Sequence, residues 1–243
     1  MQAASQIKNY IESVPAGKII TYQDFTAMQE VKPQALAKAL ERLVKQKVLI
    51  RQTKGIFYRP KQTIFGPIRP SDAEIISFLT RKGDRITGIL TGQSIYLKLQ
   101  ISTQVPNVLT IATVIPRKKQ TRGKLQVQFV RSYVASIEKD DVPLLQRLEA
   151  LRFIKKAQGC TPDEVVVVLE KDIRKLSQKD LQKLADFAKA YPPMVRAICG
   201  CLFEGVQKPE LAYALRTTLN PLTKFHVNIS ERILTNKNSW GLV

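Results

Sequence analysis

Gln34, Lys38, Arg42 and Lys45 follow one another at intervals of four, four and three residues in the stretch KPQALAKALERLVKQ. That spacing brings all four to one side of an α-helix. Their chemistry is that of nucleic-acid recognition. A Gln amide pairs with an adenine edge, and an Arg guanidinium pairs with guanine N7 and O6. Lys38 suits either a base or a phosphate. The basic character extends beyond these residues: residues 32–60 contain eight Lys or Arg and a single acid, Glu41, and Lys61 follows at once. The candidate DNA contacts are Lys32, Gln34, Lys38, Arg42, Lys45, Arg51, Lys54 and Arg59. A basic stripe on an amphipathic helix also occurs as plain solvated surface, so the surrounding elements must decide between the two.

Those elements agree with a DNA reader. Ile7, Tyr10, Ile11 and Val14 recur at three- and four-residue spacings and predict a first amphipathic helix, which PAG ends. KII suits a short strand. Thr21 and Asp24 form a capping-box pattern ahead of a helix through YQDFTAMQ, with EVK as the following turn. Pro33 suits the first position of the next helix, from about residue 33 to about 46. Its Leu36, Leu40, Leu43 and Val44 face a core, opposite the basic side. VLIRQ and GIFYRP then read as two strands joined by TKG, with Lys54 and Gly55 in the turn. Three helices followed by a basic hairpin predict a winged helix-turn-helix over residues 1–66, whose second motif helix meets the major groove.

The whole chain supports a polyanionic partner. Its 243 residues carry 39 Lys or Arg against 20 Asp or Glu, a net charge of +19. Residues 1–70 hold 12 basic and 4 acidic groups (+8), residues 71–135 hold 10 and 3 (+7), and residues 136–243 hold 17 and 13 (+4). Nucleic acid is the first partner such a balance indicates and an anionic membrane surface the second. Hydrophobic content of 44% is enough for buried cores, which excludes a disordered basic tail. There is no signal-like apolar core and no membrane-length run. Three cysteines, Cys160, Cys199 and Cys201, lack secreted-type spacing. The expectation is a cytoplasmic protein with reduced thiols and no membrane partner.

Beyond the first domain, PKQTIFGPIRPSD reads as a boundary near residues 60–71. A small α+β unit over residues 67–135 follows. Ser71 and Glu74 cap a helix, GILTGQSIYLKLQIS mixes a strand with a helix, and NVLTIATVIP and LQVQFVRS are strands joined by a basic hairpin loop at residues 117–124. Residues 136–243 are mainly helical, with starts at Thr161-Pro162, Ser177 and Pro192-Pro193, and end in a turn, a last strand and a tail. The expected class is α+β and multidomain.

Three stretches resemble the AbiEi-type antitoxin family of type IV toxin–antitoxin systems, and the likeness spans nearly the whole chain. The first is the hairpin ending KGIFYRP. The second is FGPIRPSDAEIISFL followed by GILTGQSIYLKLQISTQVPNVLTIAT. The third is YPPMVRAICGCLFE with LNPLTKF. The resemblance implies an autorepressor that binds inverted repeats in its own operator through the N-terminal winged helix. It also implies a C-terminal region that counters a nucleotidyltransferase-like toxin, without a required stable complex.

A search for catalysis finds little. His226 is the only histidine, between Phe225 and Val227. Cys199 and Cys201 lie two apart on a predicted helix, which points them apart, and no zinc spacing exists. No phosphate-cradling or dinucleotide glycine pattern is present. Asp163, Glu164, Glu170 and Lys171 read as solvated helix surface rather than a nuclease cluster. No catalytic residue, metal or cofactor is expected, and the chain is not read as an enzyme. Two alternatives stay open: a winged-helix regulator with a ligand-sensing or assembly domain, and a nucleic-acid-processing enzyme.

Overall fold

The computed structural model describes residues 2–25, 32–118, 120–122 and 125–243. The fold is mixed α and β with small sheets. The chain divides into two compact units, one built from residues 1–79 with 122–124 and the other from residues 80–121 and 125–243. Among the described residues no helix is long and apolar enough to cross a membrane.

The first unit begins with α1 (Gln2–Ser13) and β1 (Ile19–Thr21). A 3-10 turn, Tyr22–Phe25, comes next. Asp24 accepts hydrogen bonds from the Thr21 N–H at 2.6 Å and from its hydroxyl at 2.9 Å, so the carboxylate satisfies the donors that open this turn. The expected continuation through TAMQ and the EVK turn lie largely outside the described residues. Helix α2 spans Pro33–Lys45 with proline in its first turn. Its end is a Schellman arrangement: Val48 N–H reaches Leu43 O at 3.0 Å and Lys47 N–H reaches Val44 O at 3.0 Å. Lys47, not glycine, takes the left-handed conformation at φ 58°.

Strands β2 (Ile50–Thr53) and β3 (Ile56–Tyr58) form the basic hairpin. They join β1 in an antiparallel sheet of order β1-β3-β2, with Ile20 opposite Phe57. One core serves all of these elements. Ile7 and Ile11 of α1 pack with Ile20, Phe25, Leu36, Leu40, Leu43, Leu49 and Phe57. Arg59 ties the hairpin to α1. Its Nη1 donates to Glu12 O at 2.7 Å and Val14 O at 2.6 Å, carbonyls that the end of α1 leaves without helical partners.

The stretch read as a linker is structured. Strands β4 (Lys61–Thr63) and β5 (Gly66–Ile68) pair as a second, separate hairpin. Helix α3 (Asp72–Thr80) follows, and Ser71 Oγ accepts from Glu74 N–H at its start.

The second unit opens with a two-stranded ribbon of β6 (Arg81–Lys82) and β7 (Arg85–Ile86). Then come β8 (Gly88–Thr91), α4 (Gln93–Lys98), β9 (Val108–Thr113), β10 (Gln120–Arg122) and β11 (Leu125–Arg131). The sheet order is β10-β11-β9-β8. This corrects the expected β-hairpin between NVLTIATVIP and LQVQFVRS: β11 runs parallel to β9, Phe129 opposite Ile111. A parallel neighbour needs a crossover rather than a tight turn. The segment between the two strands supplies it and includes β10.

Helices α5 (Val142–Arg152), α6 (Pro162–Ile173), α7 (Gln178–Lys189), α8 (Pro193–Gly205) and α9 (Pro209–Arg216) complete the unit. Residues read separately from the sequence as 67–135 and 136–243 contribute to one buried cluster, which runs from Ile86 and Tyr96 through the helices to Leu242. The tail is not loose. Phe225 pairs with Leu242 in parallel, and Trp240, in a 3-10 turn at Lys237–Trp240, is buried. Glu204 accepts from Trp240 Nε1 at 2.9 Å, Asn236 Nδ2 at 2.6 Å and Arg216 Nη2 at 2.7 Å. Burial alone would raise this carboxyl, but the hydrogen bonds from Trp240, Asn236 and Arg216 outweigh it and hold the group below the usual range.

Two stability predictions follow from these contacts. Helix propensity favours Ala over Gly by about 1 kcal/mol inside a helix. At Gly200 a Cβ would lie 2.2 Å from the Trp240 ring. Gly200→Ala should therefore reverse that sign and destabilise the protein by about 1–3 kcal/mol through overpacking, read as a lower urea midpoint. Arg59→Ala should cost about 1–3 kcal/mol by stripping partners from Glu12 O and Val14 O. Arg59→Lys should recover only part of the loss, and thermal unfolding of the three proteins measures both effects.

Candidate nucleic-acid interface

Helix α2 presents the candidate contacts because its other side must be buried. Leu36, Leu40 and Leu43 are in the core, while Gln34, Lys38, Arg42 and Lys45 are exposed. Lys32 is exposed just before the helix. Among the described residues, none of Lys32, Lys38, Arg42 and Lys45 enters an ion pair; the pairs of this unit are Lys8–Glu12 and Lys18–Glu74. Glu41 is exposed beside this face and is its single negative charge.

The β2–β3 hairpin adds a second group. Along β2 the burial alternates, so Arg51 and Thr53 are exposed while Ile50 and Gln52 are half-buried. Lys54 is exposed at the turn, which Gly55 permits with φ +77° and the Tyr22 ring 3.4 Å from where a Cβ would sit. The register shifts between Arg51 and Thr53, a bulge that twists the hairpin.

The structure does not group Arg59 with the others. Its guanidinium is committed to the end of α1, and the residue is half-buried. The candidate list also left out two cations that lie beside the hairpins. Lys61 and Arg69 are exposed at the base of β4–β5. Burial pushes the Tyr58 hydroxyl up and the charge of Arg69 pulls it partway back. The signal for both was present, since residues 42–71 contain eight Lys or Arg and no Asp or Glu.

Elsewhere the candidate chemical groups have structural partners. Burial pushes the Cys199 and Cys201 thiols up to about 12, so both stay protonated at neutral pH. Asp163 accepts from Ser230 N–H, Glu164 closes a capping box with Thr161, and Glu170 pairs with Arg174. His226 is exposed. In the basic loop, Arg117 is half-buried over the Phe129 ring, 5.6 Å from its centroid; Lys119 and Lys124 lie outside the described residues. Among the described residues no group of His, Cys, Asp or Glu has the arrangement to hold a metal ion.

The comparisons with known proteins add a family. No curated protein matches the chain. One similar solved structure is the crystal structure of RV2827C protein from Mycobacterium tuberculosis, at 15% identity and a TM-score of 0.47, covering 100% of this chain and 91% of that one. The model of DUF6088, a family of unknown function, matches residues 6–183, and the chain belongs to that family.

Proposed function

We propose that this chain is a DNA-binding antitoxin of a type IV toxin–antitoxin system, which represses its own operator through a winged helix-turn-helix at residues 1–66. The observation that carries the DNA-binding half is the outward face of α2. Three exposed cations, Lys38, Arg42 and Lys45, stand opposite three buried leucines with no ion-pair partner among the described residues. The element order α1-β1-turn-α2-β2-β3 and the antiparallel sheet β1-β3-β2 support the winged-helix reading. In that reading α2 enters the major groove and the β2–β3 turn is the wing. Gln34 and Arg42 read base edges, Lys38 and Lys45 hold phosphates or bases, and Lys54 with Arg51 contacts the backbone beside the groove. The antitoxic half rests on the resemblance of the GILTGQSIYLKL and YPPMVRAICGCLFE stretches. Its site is assigned to the C-terminal region and its target to a nucleotidyltransferase-like toxin.

Two groups of residues should fail differently in a salt titration on operator and random duplexes. Arg42→Ala should cost about 1–3 kcal/mol on the operator and relax preference at one base pair. Lys54→Ala should weaken binding to every sequence and lower the salt slope by about one counterion. Wild-type binding by Arg42→Ala removes α2 as the reading element. For antitoxicity, a soluble folded fragment from residue 71 onward should rescue growth when the neighbouring toxin is expressed. Failure of that fragment, with rescue by the full chain, moves the activity to the N-terminal region.

A further inference from the structure

The β4–β5 hairpin carries the wrong residues at its tip. The two positions between the strands are Ile64 and Phe65, exposed at 93% and 94%. Turn tips normally carry Gly, Asn, Asp or Ser, which suit tight backbone geometry and water. Here those demands are met around the tip instead. Thr63 Oγ1 donates to Gly66 O at 2.8 Å, and Gly66 takes φ +101°. The base is anchored as well, because Pro60 and Pro70 are buried and Arg59 is held by the end of α1. Single exposed hydrophobic residues are ordinary. Two adjacent large ones on an anchored tip, in a turn that chemistry would make polar, break local consistency without any packing return within their own unit.

Charge selects the occupant. Residues 42–71 hold eight Lys or Arg and no acid, and Lys61 and Arg69 are exposed at the hairpin base. A second copy would bring the same positive surface against this one, so self-association is opposed. An apolar slot inside an anionic lattice is what the step between stacked base pairs offers once it is opened. We propose that Ile64 and Phe65 form an apolar wedge that enters a base step of duplex DNA, with Lys61 and Arg69 on the adjacent phosphates. This rests on the DNA-binding reading above and adds a second contact separate from the α2 face. The wedge partly unstacks the step, so DNA whose stacking is already broken should bind better.

The test compares two short duplexes of equal length at one salt concentration, one fully paired and one with a central two-base mismatch. Fluorescence anisotropy gives both affinities. The wild-type chain should favour the mismatched duplex on the order of tenfold, since the unstacking cost is already met there. Ile64→Ser combined with Phe65→Ser should bring the ratio to within about twofold of unity, and Phe65→Trp alone should keep it, because a large aromatic wedge remains. Circular dichroism should show the same fold in all three, the changed side chains being solvent-exposed. An unchanged ratio in the double variant, with paired-duplex binding intact, overturns the wedge and leaves the DNA reading standing. No binding to either duplex by the wild-type chain instead removes the DNA reading itself. Loss by the double variant of sedimentation with phosphatidylserine vesicles, at unchanged DNA affinities, assigns the tip to a membrane surface and overturns the wedge. So does its loss of a dimer in analytical ultracentrifugation.

Discussion

Leu36, Leu40 and Leu43 must face the first unit's core, and that requirement orients everything the unit displays. Each buried leucine contributes about 1.5–3 kcal/mol relative to exposure. Rotating α2 by half a turn would expose all three and drive Lys38 and Arg42 into a core that offers no acid, at a far larger cost for the buried charge. The basic face is therefore determined twice, by what must be inside and by what cannot be. The sheet follows from the same core. Phe57 of β3 and Ile20 of β1 lie opposite each other and complete the surface on which α2 rests. Arg51 pairs with Phe57 next to the register shift of the hairpin and is exposed, and the turn carries Lys54 into solvent.

The second unit is organised around a charge in its interior. Glu149, at 0% exposure, lies on α5. Its carboxylate accepts from Thr91 Oγ1 at 2.6 Å, Tyr191 OH at 2.9 Å and Arg152 Nη1 at 3.2 Å. Burial and the facing carboxylate push the Tyr191 hydroxyl upward, so it remains a donor. Arg152 also donates to Arg131 O and lies over the Tyr133 ring, 4.5 Å from its centroid. One carboxylate thus connects the end of β8, α5 and Tyr191 beyond α7, and through Arg152 the end of β11. A buried charge is tolerated only when fully hydrogen-bonded, so these elements are held in one relation to each other.

How far the sequence disclosed this depends on the range of each interaction. Local signals read through: Thr161 with Glu164 and Ser177 with Asp180 cap their helices as their three-residue spacings imply. The leucine spacing of α2 predicts its buried side. What escaped needs distant partners. Arg59 looks like one more surface cation until the end of α1, more than forty residues earlier, supplies two carbonyls. The parallel pairing of β9 and β11 leaves no mark that separates it from a hairpin. Trp240 reads as part of a tail until Gly200 opens a place for its ring. The β4–β5 hairpin was hidden by its own punctuation, since Pro60, Gly66, Pro67 and Pro70 are also the residues of a linker.

Net charge alone therefore says less than the division of cations into committed and uncommitted ones. In the second unit Arg147, Arg152, Arg174, Lys183, Lys189 and Arg216 each pair with an acid. In the first unit the pairs among the described residues involve Lys8 and Lys18, neither of them on α2 or in the hairpins. The cations of residues 42–71 are exposed, apart from Arg59, and have no acid in their own stretch. Concentrating like charge in this way opposes compaction, and salt screens it over about a Debye length. A polyanion bound only by the folded unit would relieve that repulsion and add its own binding free energy to folding. On the proposed reading, the arrangement that makes residues 1–79 a weaker fold in isolation is the one that couples their folding to DNA.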